Sequence, residues 1–173
     1  MDLPISGITE FYGKYGSGKT SIIFDIIKNR NTLYINTKTF PIKKFINFVS
    51  KIEIIKHIWK DKEIINSLDK LTIKNIESIY ELYFFINYHL ITFIKYINIE
   101  FLIIDSLDYL ASIDKLKYKE LFEFINNLKI IHRDYNIKII ILNSYRDLGL
   151  GFNYMINTRY FVKKINNRHF IEL

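Results

Sequence analysis

The chain has 173 residues, of which 49% are hydrophobic and 16% aromatic, and its formal net charge is +7. This length suits one domain with a sizeable core, residues 1–173, and the hydrophobic content excludes general disorder. Because the sequence has no cysteine, it excludes disulfides, thiolate zinc sites and cysteine nucleophiles, and it favours a reducing compartment. The positive charge suits a partner that carries phosphates or an acidic surface.

The chain shows no targeting or membrane-spanning segment. Residues 1–4 have neither the basic region nor the apolar run of a secretory signal. The most apolar stretch, residues 82–94, contains Asn87 and His89 and is too short to span a bilayer. We therefore expect a soluble intracellular protein without a membrane partner, located in the nucleus if the cell is eukaryotic and otherwise in the cytoplasm. The four histidines are scattered without metal-ligand spacing, so we interpret them as surface or hydrogen-bonded core residues.

The first third of the chain is predicted to form two units, each a strand followed by a helix. A β-prone run predicts a strand over Ile8–Tyr12, and a helix from Thr20 to Arg30 follows a turn rich in glycine. A second strand is predicted over Thr32–Thr37. Pro41 suits the first turn of the next helix, which runs toward Ile54.

The middle of the chain is less regular. Residues 55–70 are charged with interspersed apolar residues, which favours a helix followed by a loop. Leu71–Ile76 alternates with a period of two and predicts a strand. Ser78 and Glu81 have the spacing of a capping box for a helix over Ile79–Lys95. That helix is apolar almost all round, so we expect it to be buried between the sheet and another layer.

The last part of the chain continues the alternation of strands and helices. The uninterrupted apolar run Phe101–Asp105 is typical of a central parallel strand that is buried on both faces. The remaining predicted elements are a helix over Ile113–Tyr135, a strand over Ile137–Asn143, a loop over Ser144–Asn157, and an antiparallel pair, Thr158–Lys164 and Arg168–Leu173. Together these elements predict one three-layer α/β domain with a mainly parallel central sheet and a C-terminal antiparallel pair.

The turn after the first strand, which we call the glycine loop (residues 13–20), fits the phosphate-binding pattern G-x-x-x-x-G-K-[ST] without a mismatch. Its glycines allow backbone N–H groups to surround a phosphate, and the helix N-terminus adds a positive dipole end. Lys19 would reach the β- and γ-phosphates, and the Thr20 hydroxyl would bind Mg²⁺. The predicted nucleotide-binding residues are Gly13, Tyr15, Gly16, Ser17, Gly18, Lys19, Thr20 and Ser21.

Asp105 ends the predicted central strand. Ligands of parallel α/β sheets bind outside the carboxyl ends of the strands, so Asp105 is expected at the same edge as the glycine loop. A carboxylate in that place holds the Mg²⁺ shell through water, and Thr20 with Asp105 is the predicted metal site. The alternative is that Asp105 merely begins a turn. Asn36, Thr37 and Lys38 end the second strand at this edge and are candidate neighbours.

Residues 7–20 closely resemble the "GITEFFGEFGSGKT" stretch of the RecA/RadA recombinase family, which includes archaeal RadB and the eukaryotic recombinase paralogues. Further similarities follow in the same order along the chain, with "YIDT" at residues 34–37, "LLIVDSL" at 101–107, "PLGG" at 148–151 and "TRL" at 158–160. The resemblance covers the ATPase core from end to end, without the helical N-terminal DNA-binding domain of full recombinases. It implies a RecA-like P-loop NTPase core that binds ATP and Mg²⁺.

At two positions that have a catalytic or sensing role in the family, this sequence has a different residue. Lys38 stands where the family has a glutamate that orients the attacking water, and a lysine cannot accept a proton near neutral pH. The catalytic residue therefore stays unassigned, and we expect hydrolysis to be weak or absent. Asn143 falls where the family has "TNQ" and is the sensor candidate, but Ser144 follows it in place of the glutamine that senses the γ-phosphate.

The two regions similar to the family's DNA-binding loops, Ala111–Lys117 and Ser144–Asn157, are shorter than in the family. Their basic residues, Lys115, Lys117 and Arg146, are the candidate DNA contacts. With so few cations we expect weak, salt-sensitive binding of single- or double-stranded DNA. A strand-exchange filament formed by this chain alone is not expected.

The resemblance implies an ATP-binding recombinase paralogue that assists homologous recombination and DNA repair together with other RecA-family subunits. Two alternatives remain open at this point. One is an active small P-loop NTPase, such as a nucleotide kinase or a transport ATPase, although no lid or arginine-rich acceptor site is evident. The other is a structural subunit that keeps the fold without nucleotide, although Lys19, Thr20 and Asp105 are intact.

Overall fold

The computed structural model describes residues 3–52, 68–114, 117–144, 148–166 and 168–173. The strands in chain order are β1 Ile8–Tyr12, β2 Thr32–Asn36, β3 Leu71–Asn75, β4 Phe101–Asp105, β5 Lys138–Asn143, β6 Thr158–Ile165 and β7 Arg168–Glu172. They form one seven-stranded sheet in the order β3-β2-β4-β5-β1-β6-β7. All neighbouring strands are parallel except β6 and β7, which are antiparallel. The prediction of a mainly parallel sheet with a C-terminal antiparallel pair is confirmed.

Helices connect the strands. In the described ranges they are α1 Lys19–Ile27, α2 Ile42–Ile52, α3 Ile79–Phe84, α4 Leu90–Ile97, α5 Leu107–Ile113, α6 Tyr118–Tyr135 and α7 Leu150–Met155. A π-helical turn, Phe85–His89, joins α3 to α4. None of these described helices has the length and apolar character that crossing a membrane requires.

The side chains of the central strands alternate between two apolar clusters on opposite faces of the sheet. Leu102 and Ile104 of β4 pack in the cluster that includes residues of α3 to α7. Phe101 and Ile103 pack in the other cluster, with residues of α1 and α2. Because helices cover both faces, the central strands are apolar on both sides. The described elements therefore form three layers, as the sequence predicts.

An aromatic cluster fixes α1 against α2. Phe24 of α1 is fully buried, and its ring lies 4.9 Å from that of Phe45 in a T-shaped arrangement. Phe40 joins the cluster with its ring 4.8 Å from that of Tyr34 on β2. Edge-to-face pairs of this kind stabilise a core beyond the area they bury. The cluster therefore holds the helix that follows the glycine loop in a defined place on the sheet.

Two short helices were missed by the sequence prediction. Residues 107–113 form α5, whereas we predicted a helix that starts only at Ile113, and the longer helix α6 begins at Tyr118. Residues 150–155 form α7 inside the predicted loop 144–157. Both helices span two turns or fewer, a length at which helical periodicity is too weak to read. The prediction for residues 55–70 falls almost entirely outside the described residues.

The helical segment 79–97 is less buried than we predicted. Tyr80, Phe84 and Tyr88 are 62%, 55% and 69% exposed, because the segment packs on the sheet along one side only. The prediction that this helix is buried between the sheet and another layer is wrong for its exposed side, since apolar composition alone does not determine which side is covered. The start of the segment shows one of the two hydrogen bonds of the predicted capping box. Ser78 Oγ accepts from the Glu81 amide at 3.1 Å, whereas the Glu81 carboxylate accepts from the amide of Glu77 instead of that of Ser78.

Candidate functional site

The carboxyl edge of the sheet, where its parallel strands end, brings together segments that are distant in sequence. The glycine loop follows β1, and Asp105 is the last residue of β4. Strand β5 lies between β1 and β4. Since β1, β4 and β5 are parallel, the glycine loop and Asp105 lie at the same edge, which is where α/β sheets bind their ligands.

Two glycines of the glycine loop combine a positive φ with close packing that leaves no room for a side chain. Gly13 has φ 152° and Gly18 has φ 102°, which are rare values for residues with a side chain. A Cβ at Gly13 would collide with the carbonyl oxygen of Val162, and a Cβ at Gly18 would collide with the ring of His169. Both ends of the glycine loop are therefore packed against the β6 and β7 hairpin.

The ammonium group of Lys19 is folded back over the glycine loop. Its Nζ donates to the carbonyl oxygens of Gly13 at 2.6 Å and Lys14 at 3.0 Å, and to Ser17 Oγ at 3.4 Å. Burial lowers the pKa of Lys19, while the charges of Asp105 and Asp108 raise it. The bonded acceptors are neutral atoms, so the ammonium charge faces the loop without a bonded carboxylate among the described residues. Such a charge can bind an anion.

Asp105 points to the side of the sheet that carries α1. Its carboxylate Oδ2 accepts a hydrogen bond from the Tyr34 hydroxyl at 2.5 Å. Burial raises the pKa of Asp105, whereas the Tyr34 hydrogen bond and the Lys19 charge lower it. Thr20, the other predicted metal residue, is half-buried in the first turn of α1. A hydroxyl and a carboxylate are the hard oxygen ligands that Mg²⁺ prefers, so these residues fit the predicted ion.

The end of β2 is bonded directly to the end of β4. The Thr37 amide donates to the Asp105 carbonyl at 2.8 Å, and Thr37 Oγ1 accepts from the Ser106 amide at 3.0 Å. The Asn36 side chain donates to the Lys38 carbonyl at 2.6 Å. All three of the predicted neighbours, Asn36, Thr37 and Lys38, therefore lie beside Asp105.

Asn143, the sensor candidate, is held on the opposite side of the sheet. It is 1% exposed. Its side chain points to the same face of β5 as those of Ile139 and Ile141, which pack in the α3 to α7 cluster. Its Nδ2 donates to Glu10 Oε1 at 2.7 Å, and its Oδ1 accepts from the Asp108 amide at 2.9 Å. Both amide atoms are thus occupied by protein groups, and the structure does not bring them to the side of Lys19 and Asp105.

Asp108 is a residue of this edge that the sequence did not single out. It is 3% exposed, and its Oδ2 accepts hydrogen bonds from the amide and the hydroxyl of Ser144. Its Oδ1 has no hydrogen-bond partner within the described part of the chain. The first turn of α5 was not predicted, so no sequence signal pointed to a carboxylate here.

His169, which we interpreted as a surface or hydrogen-bonded core residue, is exposed and contacts the glycine loop. Its Nδ1 lies 2.8 Å from the carbonyl oxygen of Ser17, so Nδ1 carries the hydrogen and donates. The two residues are separated by 152 positions in the sequence, which is why no local pattern indicates the contact. The last strand is thus part of the wall of the candidate site.

The structure locates one of the three candidate DNA contacts. Lys117 is exposed at the start of α6, and its amide donates to Glu120 Oε2 at 3.1 Å. Lys115 and Arg146 lie outside the described residues. The predicted DNA surface is therefore not assembled from the described part of the chain.

No protein-family model matches this chain, and no curated protein matches its sequence. The candidate site is therefore defined by its own geometry. The structure places the glycine loop, the Lys19 ammonium and the Asp105 carboxylate on one side of a parallel sheet at its carboxyl edge.

Proposed function

We propose that this chain binds ATP with Mg²⁺ at the glycine loop, as a P-loop NTPase with a RecA-like core. The single observation that carries the proposal is the shared position of Lys19 and Asp105. They come from different strand units, yet their charges act on each other at the carboxyl edge. A cation and a carboxylate in these places suit a phosphate chain and the metal ion that accompanies it.

Each group of the site has a specific task in this proposal. Backbone N–H groups of the glycine loop and the N-terminus of α1 surround the phosphates. Lys19 exchanges its contacts with the carbonyl oxygens of Gly13 and Lys14 for phosphate oxygens. Thr20 and Asp105 hold Mg²⁺, which neutralises phosphate charge when it is bound.

Hydrolysis is weak or absent in this proposal. Lys38 occupies the position at which the family resemblance implies a water-orienting glutamate, and an ammonium group cannot take a proton from water. Asp108 is another carboxylate at this edge, but it is buried and bonded to Ser144. The chain is therefore proposed to use ATP as a bound effector, whose phosphates order the glycine loop and the carboxyl edge.

We further propose that the protein is a recombinase paralogue that assists homologous recombination and DNA repair inside the cell. The support is the 14-residue likeness around the glycine loop (residues 7–20) and the net charge of +7. Its proposed partners are RecA-family subunits, which would dock on the ATP-ordered edge, and DNA, bound weakly. A co-purified RecA-family subunit supports this role, whereas purification with unrelated partners contradicts it.

Nucleotide affinity tests the central proposal. The dissociation constant for ATP with Mg²⁺ is measured by calorimetry for the wild-type protein, Lys19→Ala and the control Lys43→Ala, whose side chain is exposed on α2. We expect Lys19→Ala to weaken binding about 10-fold or more because a charge-assisted contact is lost, and Lys43→Ala to have no effect. Equal affinity in all three proteins, or no binding by the wild type, contradicts the proposal.

Turnover separates this proposal from an active P-loop enzyme. We expect phosphate release far slower than about 1 s⁻¹ for the wild-type protein at saturating ATP. Release at that rate or faster would favour the small NTPase or kinase instead.

A further inference from the structure

Lys38 has a fixed place at the carboxyl edge. In the parallel register of β2 and β4, Asn36 lies opposite Asp105, so Lys38 emerges just beyond the end of β4. Its carbonyl accepts a hydrogen bond from the Asn36 side chain at 2.6 Å. The preceding residue, Thr37, bonds both Asp105 and Ser106 through its amide and hydroxyl. The backbone from which the Lys38 side chain starts is therefore held beside Asp105.

The side chain of Lys38 is exposed, but it lies against one neighbouring residue. Its Nζ lies 4.1 Å from the centroid of the Tyr109 ring. Tyr109 belongs to α5, which begins directly after β4. A cation over an aromatic face is attracted by the ring quadrupole. This contact holds the ammonium group along the edge of the sheet instead of leaving it free in solvent.

Two ammonium groups thus act on one carboxylate at this edge. Lys19 lies over the glycine loop, and Lys38 lies over Tyr109; the charges of both lower the pKa of Asp105. Lys19 already supplies the cation that a phosphate-binding loop requires. Lys38 is an additional cation, attached to the neighbouring strand β2, at the carboxyl edge where Asp105 ends the central strand.

We propose that Lys38 is a specificity-determining residue that binds the terminal phosphate of a nucleoside triphosphate. This inference rests on the proposed function, and it names the ligand that the site prefers. A triphosphate extends from the glycine loop toward Asp105 and brings its last phosphate to the Lys38 ammonium. A diphosphate lacks that group, so its affinity does not depend on Lys38. The site therefore distinguishes the two nucleotides without hydrolysing either.

Affinities for two nucleotides test this assignment. Dissociation constants for a non-hydrolysable ATP analogue and for ADP, both with Mg²⁺, are measured for the wild-type protein, Lys38→Ala, Lys38→Arg and the control Lys43→Ala. We expect Lys38→Ala to weaken binding of the triphosphate about 10-fold and of ADP less than about twofold, as for loss of one charge-assisted contact. Lys38→Arg keeps the charge and should retain most of the preference. Lys43→Ala should match the wild type.

The outcomes separate the two proposals. If the wild-type protein binds neither nucleotide, the proposed function itself is wrong. If it binds both, but Lys38→Ala leaves the triphosphate affinity unchanged or weakens both affinities equally, the nucleotide site stands and the role of Lys38 is wrong. Thermal unfolding of each variant shows whether the fold is retained, and a folded Lys38→Ala that loses only the triphosphate preference supports the role. Tyr109→Leu removes the ring beneath the ammonium and should reduce the preference in the same direction.

Discussion

The Tyr34 hydroxyl donates to Asp105 Oδ2 at 2.5 Å, across the neighbouring strands β2 and β4. Tyr34 is fully buried, and burial together with the Asp105 charge raises its pKa well above the ordinary value. The hydroxyl therefore stays protonated and donates. It fixes the orientation of the Asp105 carboxylate at the carboxyl edge.

Tyr34→Phe removes this donor and keeps the ring that packs on Phe40. We expect the free energy of unfolding at pH 7 to fall by about 1–3 kcal/mol, because a desolvated carboxylate loses its partner. Urea denaturation measures the change. In an Asp105→Asn background the same substitution should cost less, since no charge is left to satisfy. Equal costs in both backgrounds would show that the charge of Asp105 does not strengthen this contact, and no cost in either would show that the hydrogen bond contributes nothing.

The raised pKa of Asp105 makes stability depend on pH. Because the folded state holds the proton more tightly than the unfolded chain, this contribution is fully present below the ordinary pKa of 3.8 and is lost as pH rises through the folded pKa. Asp105→Asn stays neutral at every pH. We expect its stability relative to the wild type to increase as pH rises from that value and then to level off. Denaturation at a series of pH values measures this, and a difference that does not vary with pH contradicts it.

Gly18→Ala tests the contact between the glycine loop and the last strand. We expect a loss of about 1–3 kcal/mol in stability, because alanine is strained at the positive φ and its Cβ meets His169. A simultaneous His169→Ala change should recover the steric part and leave the backbone part. The matched control is Gly151→Ala in α7, where a Cβ meets no atom within 4 Å. A cost at Gly151 as large as at Gly18 would contradict the explanation.

Phe24→Ala tests the aromatic cluster beneath α1. Because Phe24 is fully buried and contacts Phe45, we expect a loss of about 3–5 kcal/mol in the free energy of unfolding. Tyr96→Ala, at a residue that is 86% exposed, should change it by less than about 0.5 kcal/mol. Thermal or chemical denaturation of both variants is the measurement. Similar losses in the two variants would mean that the cluster does not anchor the helix.

Lys38→Glu tests why hydrolysis is proposed to be weak. A carboxylate in this place can orient and deprotonate water, a contribution of about 10²–10⁴-fold in enzymes. Since Ser144 also departs from the family, we expect a smaller gain, about 10-fold in phosphate release at saturating ATP, relative to Lys38→Gln. If the two variants release phosphate equally slowly, residue 38 does not face the attacking water.

The sequence by itself determined the local parts of this protein. The glycine loop, the strand before it, the helix after it and the buried run that ends at Asp105 are each continuous stretches, and their patterns could be read directly. The mainly parallel sheet followed from the alternation of strands with helices. The short helices α5 and α7 were missed, because two turns or fewer carry too little periodicity.

Only the tertiary structure decided which side chains meet at the site. Tyr34 reaches Asp105 over 71 positions and His169 reaches Ser17 over 152, and Lys38 finds Tyr109 on a helix that the sequence did not predict. These contacts depend on the strand order, in which β4 pairs with β2 and β5 separates β4 from β1. Periodicity and turn signals arise between near neighbours in the chain, whereas strand order is set by how the whole core packs, so no local pattern contains it.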